Sequence, residues 1–305
     1  MSQNSNDIIY TYMRKFFVIA LAAAAMLFAG CEKDSGEDGP DAVANPVKSY
    51  EFVAMMNGNP HFKEVYTPSY DSKGRLTGIK YEHYEQDWSS EDAGLYLAEK
   101  RSSTVTYDES AKTAVSAGTS QYYNREEKKW SDPDSDETKL TFDDNWRVVK
   151  TESKSGESQY SEVYAYSGDN VASYTYTSVY DGRSSETVTN YTWTNGDLVE
   201  IKDSYSKTTV NYGPEANPFL GTIDLTLDSM PEFYSLGILG KTSAHLPTSY
   251  TYISGTGENE WKYTYNIEYT KDSKGRITEI IQRYAVDGDE PNHEEEHYTK
   301  YVINY

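Results

Sequence analysis

Two histidines, His293 and His297, bracket three glutamates in His293-Glu294-Glu295-Glu296-His297, which fits the zinc-protease pattern H-E-x-x-H. That chemistry needs a helix, so that both imidazoles lie on one face within reach of one metal. Here Asp287-Gly288-Asp289-Glu290-Pro291 precedes the motif and the strand-like YTKYVINY follows it. On an extended strand the two rings stand about 13 Å apart, too far for a single zinc. The stretch therefore reads as a hairpin loop. Asp132, Asp134 and Asp136 alternate like calcium ligands. Yet Glu137 stands where a calcium-binding loop needs glycine and Asp143 where it needs a bidentate glutamate, so a solvated acidic turn is the better reading. No Gly-rich phosphate loop and no G-x-S-x-G occurs, and the five histidines pair with no nucleophile. The expectation is no catalytic residue, no cofactor and no metal. Trp88 and Trp130 remain, set in DWSSED and KKWSDPDSDE. Exposed rings beside carboxylates and amides suit carbohydrate, whose C–H faces stack while its hydroxyls need polar partners. The competing reading is a cross-strand packing tryptophan near a turn. Trp146, Trp193 and Trp261 lie within strand patterns and read as structural.

One cysteine carries a different chemistry. Met13-Arg14-Lys15 opens a basic segment, an apolar run follows from Phe16 to Phe28, and the run ends Leu27-Phe28-Ala29-Gly30-Cys31. These are signal-peptide proportions. The end resembles a bacterial lipobox, which makes Cys31 the lipidated N-terminus of the mature chain and 1–30 the signal, with Met13 as its start. Phe28 is larger than the aliphatic residue usual at its place. Cys31 is the only cysteine, so no internal disulfide forms. Several acyl chains on one residue anchor stably where one does not. Residues 31–47 are acidic and rich in Gly and Pro and read as a flexible tether. Acidic residues just after the cysteine resemble the surface-export signals of some Gram-negative lipoproteins.

The chain must position these residues with an unusual composition. It has 305 residues, 30 of them tyrosine, and a formal charge of −21. Its mean hydropathy is −0.78. The signal holds Arg14, Lys15 and Asp7, so the mature chain carries 26 basic and 48 acidic residues, or −22. Such a surface repels nucleic acid and anionic lipid. Tyrosine and threonine favour strands, and tyrosine suits a half-wet face. No linker-like break follows residue 47, so 48–305 reads as a single β domain.

A turn pattern recurs: an aromatic, a polar turn often with glycine, then a strand opening on an aliphatic or threonine. It stands as YDSKGRLTGI at 70–79 and TKDSKGRITEI at 270–280. Looser copies are FDDNWRVVK at 142–150, YSGDNVASY at 166–174 and WTNGDLVEI at 193–201, with a less regular hairpin around Tyr107. Each copy reads as a hairpin. Tyr263, Tyr265, Ile267 and Tyr269 alternate with Lys262, Thr264, Asn266 and Glu268. This periodicity gives about 13–16 strands in a long antiparallel meander, curved or barrel-like, because open edges invite aggregation. The exception is Pro214–Pro247, which holds six of the eleven leucines after Cys31. Phe219, Ile223, Leu227 and Met230 recur at helical spacing, Ser229 and Glu232 have capping-box spacing, and Gly240 reads as the stop. The expectation is one short helical insert over about 214–247, packed against the sheet.

The insert's NPF, IDL, FYSLGILGK and LP, together with the flanking YDSKGRLTGI and KDSKGRITEI, resemble a family of bacterial lipoproteins of unknown function with a porin-like fold. The turns alone are also similar to the tyrosine–aspartate repeats of secreted shell proteins. The likeness covers most of 48–305. It implies an all-β, curved or barrel-like fold and supplies no catalytic residues. It does not imply lipid-embedded strands: over 185–193 one face holds Ser185, Thr187 and Thr189 and the other Glu186 and Asn190, and neither suits hydrocarbon. The leading functional expectation is a non-enzymatic, lipid-anchored outer-membrane protein of a Gram-negative envelope that binds an extracellular glycan or peptide, with Trp88 and Trp130 as contacts. The alternatives are a structural or assembly subunit with no small ligand and, third, a hydrolase.

Overall fold

The computed structural model describes residues 47–56, 58–72, 75–87, 94–217, 240–255, 260–285 and 297–305. Cys31, Trp88, His293 and the helical part of the expected insert, 218–239, lie outside the described residues.

Seventeen strands follow one another: β1 (Ser49–Met56), β2 (Asn59–Tyr70), β3 (Leu76–Gln86), β4 (Leu95–Asp108), β5 (Thr113–Asn124), β6 (Lys129–Trp130), β7 (Asp134–Phe142), β8 (Val148–Ser155) and β9 (Ser158–Ser167), then β10 (Asn170–Tyr180), β11 (Arg183–Thr194), β12 (Asp197–Lys202), β13 (Ser206–Ala216), β14 (His245–Ser254), β15 (Trp261–Lys271), β16 (Ile277–Ala285) and β17 (His297–Asn304). The two-residue β6 pairs only with β5. The other sixteen pair antiparallel with their chain neighbours, and β17 returns to pair with β1, from Ser49↔Asn304 to Met56↔His297. The sheet is thus a closed barrel of sixteen strands, and closure removes the open edges. The insert is shorter than its expected bounds: 214–216 continue β13 and 245–247 open β14. Both ends of that range alternate against a neighbouring strand, so ladder bonds win there over helix. The expected acidic turn at Asp132–Asp136 is also replaced, because Asp134 and Asp136 lie in β7 paired to β5.

The apolar side chains point inward and gather at one end. Leu76, Leu140, Val148, Val171, Leu198, Ile277 and Ile280 are fully buried there, close to the short turns that carry the recurring motif. Five strands share one device. The ladder shifts register one or two residues after the strand opens, leaving Thr77, Val149, Ala172, Val199 and Thr278 as bulges. A bulge resets the alternation, so an inward residue at the opening is followed by another three positions later. Leu76 and Ile79, like Ile277 and Ile280, are such buried pairs.

The turns themselves repeat an Asp–Arg clamp. In each of Asp71/Arg75, Asp143/Arg147 and Asp272/Arg276 the arginine backbone N–H donates to the aspartate Oδ1, at 2.9, 2.9 and 3.0 Å. Its Nε donates to Oδ2, at 2.8, 2.9 and 2.8 Å. Each guanidinium then lies over a ring, 4.7 Å from Tyr107, 4.2 Å from Tyr166 and 4.6 Å from Tyr305. Trp146, expected within a strand, occupies the β7–β8 turn at φ 60° and packs on Phe142.

Candidate functional site

The wall's outward face carries charge. Lys63 pairs with Glu51 at 3.6 Å, Lys150 with Glu152 at 2.7 Å, Lys207 with Glu200 at 2.7 Å and Arg283 with Glu268 at 3.8 Å. Lys300 pairs with Glu279. A lysine or arginine in mid-bilayer on a barrel's lipid face costs about 2–4 kcal/mol, which weighs against lipid around these pairs. Among the described residues no helix is long and apolar enough to cross a membrane.

One concavity of about 1060 Å³ lies on that outer face, across β4, β5 and β7 to β10. Ser102, Thr119, Ser135, Lys139, Lys150 and Glu152 line it. The inner face behind it carries small buried residues, Ser103, Ser116, Gly118, Thr138 and Ser153. Short side chains let this stretch of wall sit inward and make its outer face hollow. A Cβ at Gly118 would stand 2.6 Å from Asp136 Oδ1, so a larger residue there would have to displace that carboxylate. Burial raises the Asp136 carboxyl above its usual range, against the pull of Arg101. Lys139 faces Glu152 across the ladder, while Ser102 Oγ and Thr119 Oγ1 meet at 3.3 Å. The groove is thus hydroxyl-rich and near charge balance in a strongly acidic protein.

Trp130 pairs with Tyr123, two same-face steps along β5 from Thr119. The Lys100 ammonium sits over its ring at 4.3 Å and Tyr123 packs beside it at 5.4 Å. Trp130 is half-buried and lies outside the residues that line the groove, while Trp88 falls outside the described residues. His297 opens β17 in extended backbone.

Inside the barrel, tyrosine hydroxyls satisfy inward carboxylates. Glu162, 1% exposed, accepts from Thr151 at 2.7 Å, Tyr164 at 3.1 Å and Tyr174 at 2.9 Å. Burial raises its carboxyl above the usual range, and the three donors pull it back. Glu64 accepts from Tyr66 at 2.8 Å and from Tyr81 at 3.0 Å. His83 lies between Glu64, at 3.5 Å, and Glu85, at 3.3 Å. Burial lowers the His83 pKa, but the two carboxylates outweigh it and raise it to about 9.

The barrel's two ends differ. The inner face at the end opposite the recurring turns is wet: Ser185 is exposed, as are Trp261 and Tyr284. Trp261, expected to be structural, is 64% exposed. It is the opening residue of β15, and its inward position lies too near the mouth for any wall to cover it. Strand alternation identifies its face, whereas depth along the barrel depends on pairing register, which one strand's sequence does not carry.

A scan of protein-family models and a search of curated proteins return no match. Among solved structures, the chain is similar to a porin-like protein from Bacteroides uniformis at 18% identity and TM-score 0.58, over 85% of this chain and 98% of that one. A porin-like protein from Bacteroides vulgatus is matched at 13% identity and TM-score 0.28, over 85% of this chain and 98% of that one. The first likeness shows the fold, and the chain shares the all-β barrel architecture of the Bacteroides uniformis porin-like protein.

Proposed function

We propose that this is a lipid-anchored envelope protein whose barrel stands in water and binds an extracellular glycan in its outer groove. The observation that carries the reading is the hollow of hydroxyls and lysines, with the Trp130 ring held nearby against Lys100, two residues from the hollow's Ser102. A peptide is the weaker ligand, because strand addition needs a free edge and the closed barrel offers none among the described residues. The rival, a structural subunit, draws on one observation: Lys100 already covers one face of the Trp130 ring.

The anchor and the barrel then have a defined relation. β1 starts, and β17 finishes, at the closed end, where the Lys48 N–H donates to Asn304 O at 2.8 Å. Lipid on Cys31 would hold that end toward the membrane and leave the mouth facing away. Residues 31–47 would allow a stand-off of about 50–60 Å at full extension.

Two measurements test the proposal. Cys31→Ser is expected to move the protein from the membrane fraction to the soluble one, and retention after a carbonate wash would reject the anchor. A glycan array probed with the detergent-solubilised full chain is expected to show binding that Thr119→Arg, which fills the groove from an exposed position, abolishes. Trp130→Ala should weaken that binding by about 1–3 kcal/mol, the usual size of a stacked aromatic contact. Binding to no glycan would favour the structural subunit.

A further inference from the structure

We propose that the inner rim of the mouth, between β14 and β16, is a second and independent site: a stacking platform for the end of a neutral glycan chain. Tyr250 and Tyr252 on β14, Trp261, Tyr263 and Tyr265 on β15, and Tyr284 on β16 share the inward face, as cross-strand partners Tyr250↔Tyr265, Tyr252↔Tyr263 and Tyr265↔Tyr284 show. Tyr250 stacks on Tyr265 at 4.7 Å and 16°. Tyr284 contacts Tyr265 at 5.8 Å and Tyr263 at 5.7 Å. The rings form a ladder that starts in the core, where Tyr250 is 3% exposed, and emerges at Tyr284, 37%, and Trp261, 64%. Tyr205, 74% exposed on the β12–β13 turn, stands beside the rim, where its carbonyl accepts from the Gly255 N–H at 3.0 Å.

The hydroxyls set this platform apart. At the closed end, aromatic polar groups donate to strand carbonyls. At the rim, the Tyr205, Tyr252, Tyr263 and Tyr284 hydroxyls hold no hydrogen bond among the described residues. Packed rings with free hydroxyls offer both things a pyranose needs, an apolar face for its C–H groups and polar partners for its rim. Strand stability does not ask for an exposed tryptophan, since a threonine opening would serve β15 as well.

Charge selects among glycans. At the rim the inward positions of β14, β15 and β16 carry no charged side chain among the described residues: Lys262, Glu268, Glu279 and Arg283 point outward, and Lys271, paired with Ile277, lies at the closed end. With no cation on the platform and a mature chain at −22, uronate- or sulfate-bearing chains are repelled and neutral ones are not.

The test is calorimetric titration of the detergent-solubilised full chain with neutral hexasaccharides of β-1,4-linked glucose, β-1,4-linked mannose and α-1,4-linked glucose. At least one is expected to bind. Trp261→Ala and Tyr284→Ala should each weaken that binding tenfold or more, Trp261→Phe should keep most of it, and Thr119→Arg should leave it unchanged. Circular dichroism confirms that the variants fold. Loss through Thr119→Arg with no effect of Trp261→Ala would place the ligand in the groove and overturn the rim site while sparing the groove. No binding of any neutral hexasaccharide, or binding of a proline-rich peptide in its place, would also overturn it.

Discussion

The two ends of the barrel put the same residue types to opposite uses. At the closed end Tyr107, Tyr166, Tyr212, Tyr269 and Tyr305 donate their hydroxyls to the carbonyls of Leu76, Val148, Leu198, Pro247 and Ile277, at 3.1, 2.7, 2.8, 2.7 and 3.1 Å. Trp193 Nε1 does the same to Val171 O at 2.8 Å. All six carbonyls belong to residues just before a bulge, where the broken ladder leaves an acceptor for the aromatic. At the mouth the Tyr205, Tyr252, Tyr263 and Tyr284 hydroxyls hold no such backbone among the described residues. One end is a joint and the other is a surface, and the turns differ with them: three at the closed end carry the Asp–Arg clamp, and none of the described turns at the mouth does.

Removing closed-end packing should give the largest effect. Leu198→Ala and Ile277→Ala delete side chains that are 0% exposed and are expected to cost about 2–5 kcal/mol each in denaturant melts. A cost below about 0.5 kcal/mol would show that the end is not a packed joint.

His83 sharpens the comparison by asking whether the polar interior also carries stability. Its folded pKa of about 9 lies above the ordinary 6.5. Protonated His83 therefore stabilises the fold fully below pH 6.5, and that contribution fades as pH rises toward 9. The size is on the order of 2–3 kcal/mol. Melts of wild type against His83→Gln should show a stability difference that shrinks between pH 6.5 and 9. A pH-independent difference would mean that the Glu64 and Glu85 carboxylates do not hold the charge.

Gly240 tests the seam between insert and barrel. It sits at φ +81°, bridges Asn170, and leaves room for no side chain: a Cβ would lie 2.0 Å from Asp169 O. The neighbouring Lys241 N–H donates to that same oxygen at 2.9 Å, and its ammonium pairs with Asp169 at 2.8 Å. Gly240→Ala should cost about 1–3 kcal/mol, and hydrogen exchange should quicken at Lys241 and in the β9–β10 turn. Unchanged exchange there would mean that the return segment is not held by this contact. The glycine was legible as a special position from its place at the end of the insert, but its contact with the distant Asp169 was not.

The same division runs through the whole chain. The hairpins at 70–79 and 270–280 were legible because Asp, Gly and a following aliphatic are local signals, and a curved or barrel-like sheet followed from the need to hide edges, but closure through β1 and β17 was not legible. The bulges at Thr77 and Thr278 were not, since nothing in LTGI or ITEI distinguishes a bulge from plain alternation. The groove escaped for a related reason: its floor of Ser, Gly and Thr reads as a polar strand until the register shows which face they share. Trp130 was singled out from local composition, whereas Trp261 was set aside because its alternation looked regular.

The smallest expected effect completes the contrast. Trp261→Ala removes the largest exposed ring at the mouth, yet the stability change should stay within about 0.5 kcal/mol, as for a solvated surface position. The argument is one of cover. The ring is 64% exposed, its strand partner Ser254 is small, and β15 keeps its pairing to β14 through Tyr263↔Tyr252 and Tyr265↔Tyr250 without it. Tyr269→Phe at the other end of the same strand removes a single hydroxyl, but that hydroxyl donates to Pro247 O at 2.7 Å, and its loss should cost about 1 kcal/mol. A whole indole at the mouth is thus expected to matter less to the fold than one oxygen at the joint. Denaturant melts of the two variants side by side decide it. If Trp261→Ala proved the costlier, the mouth would be a second joint and its rings structural.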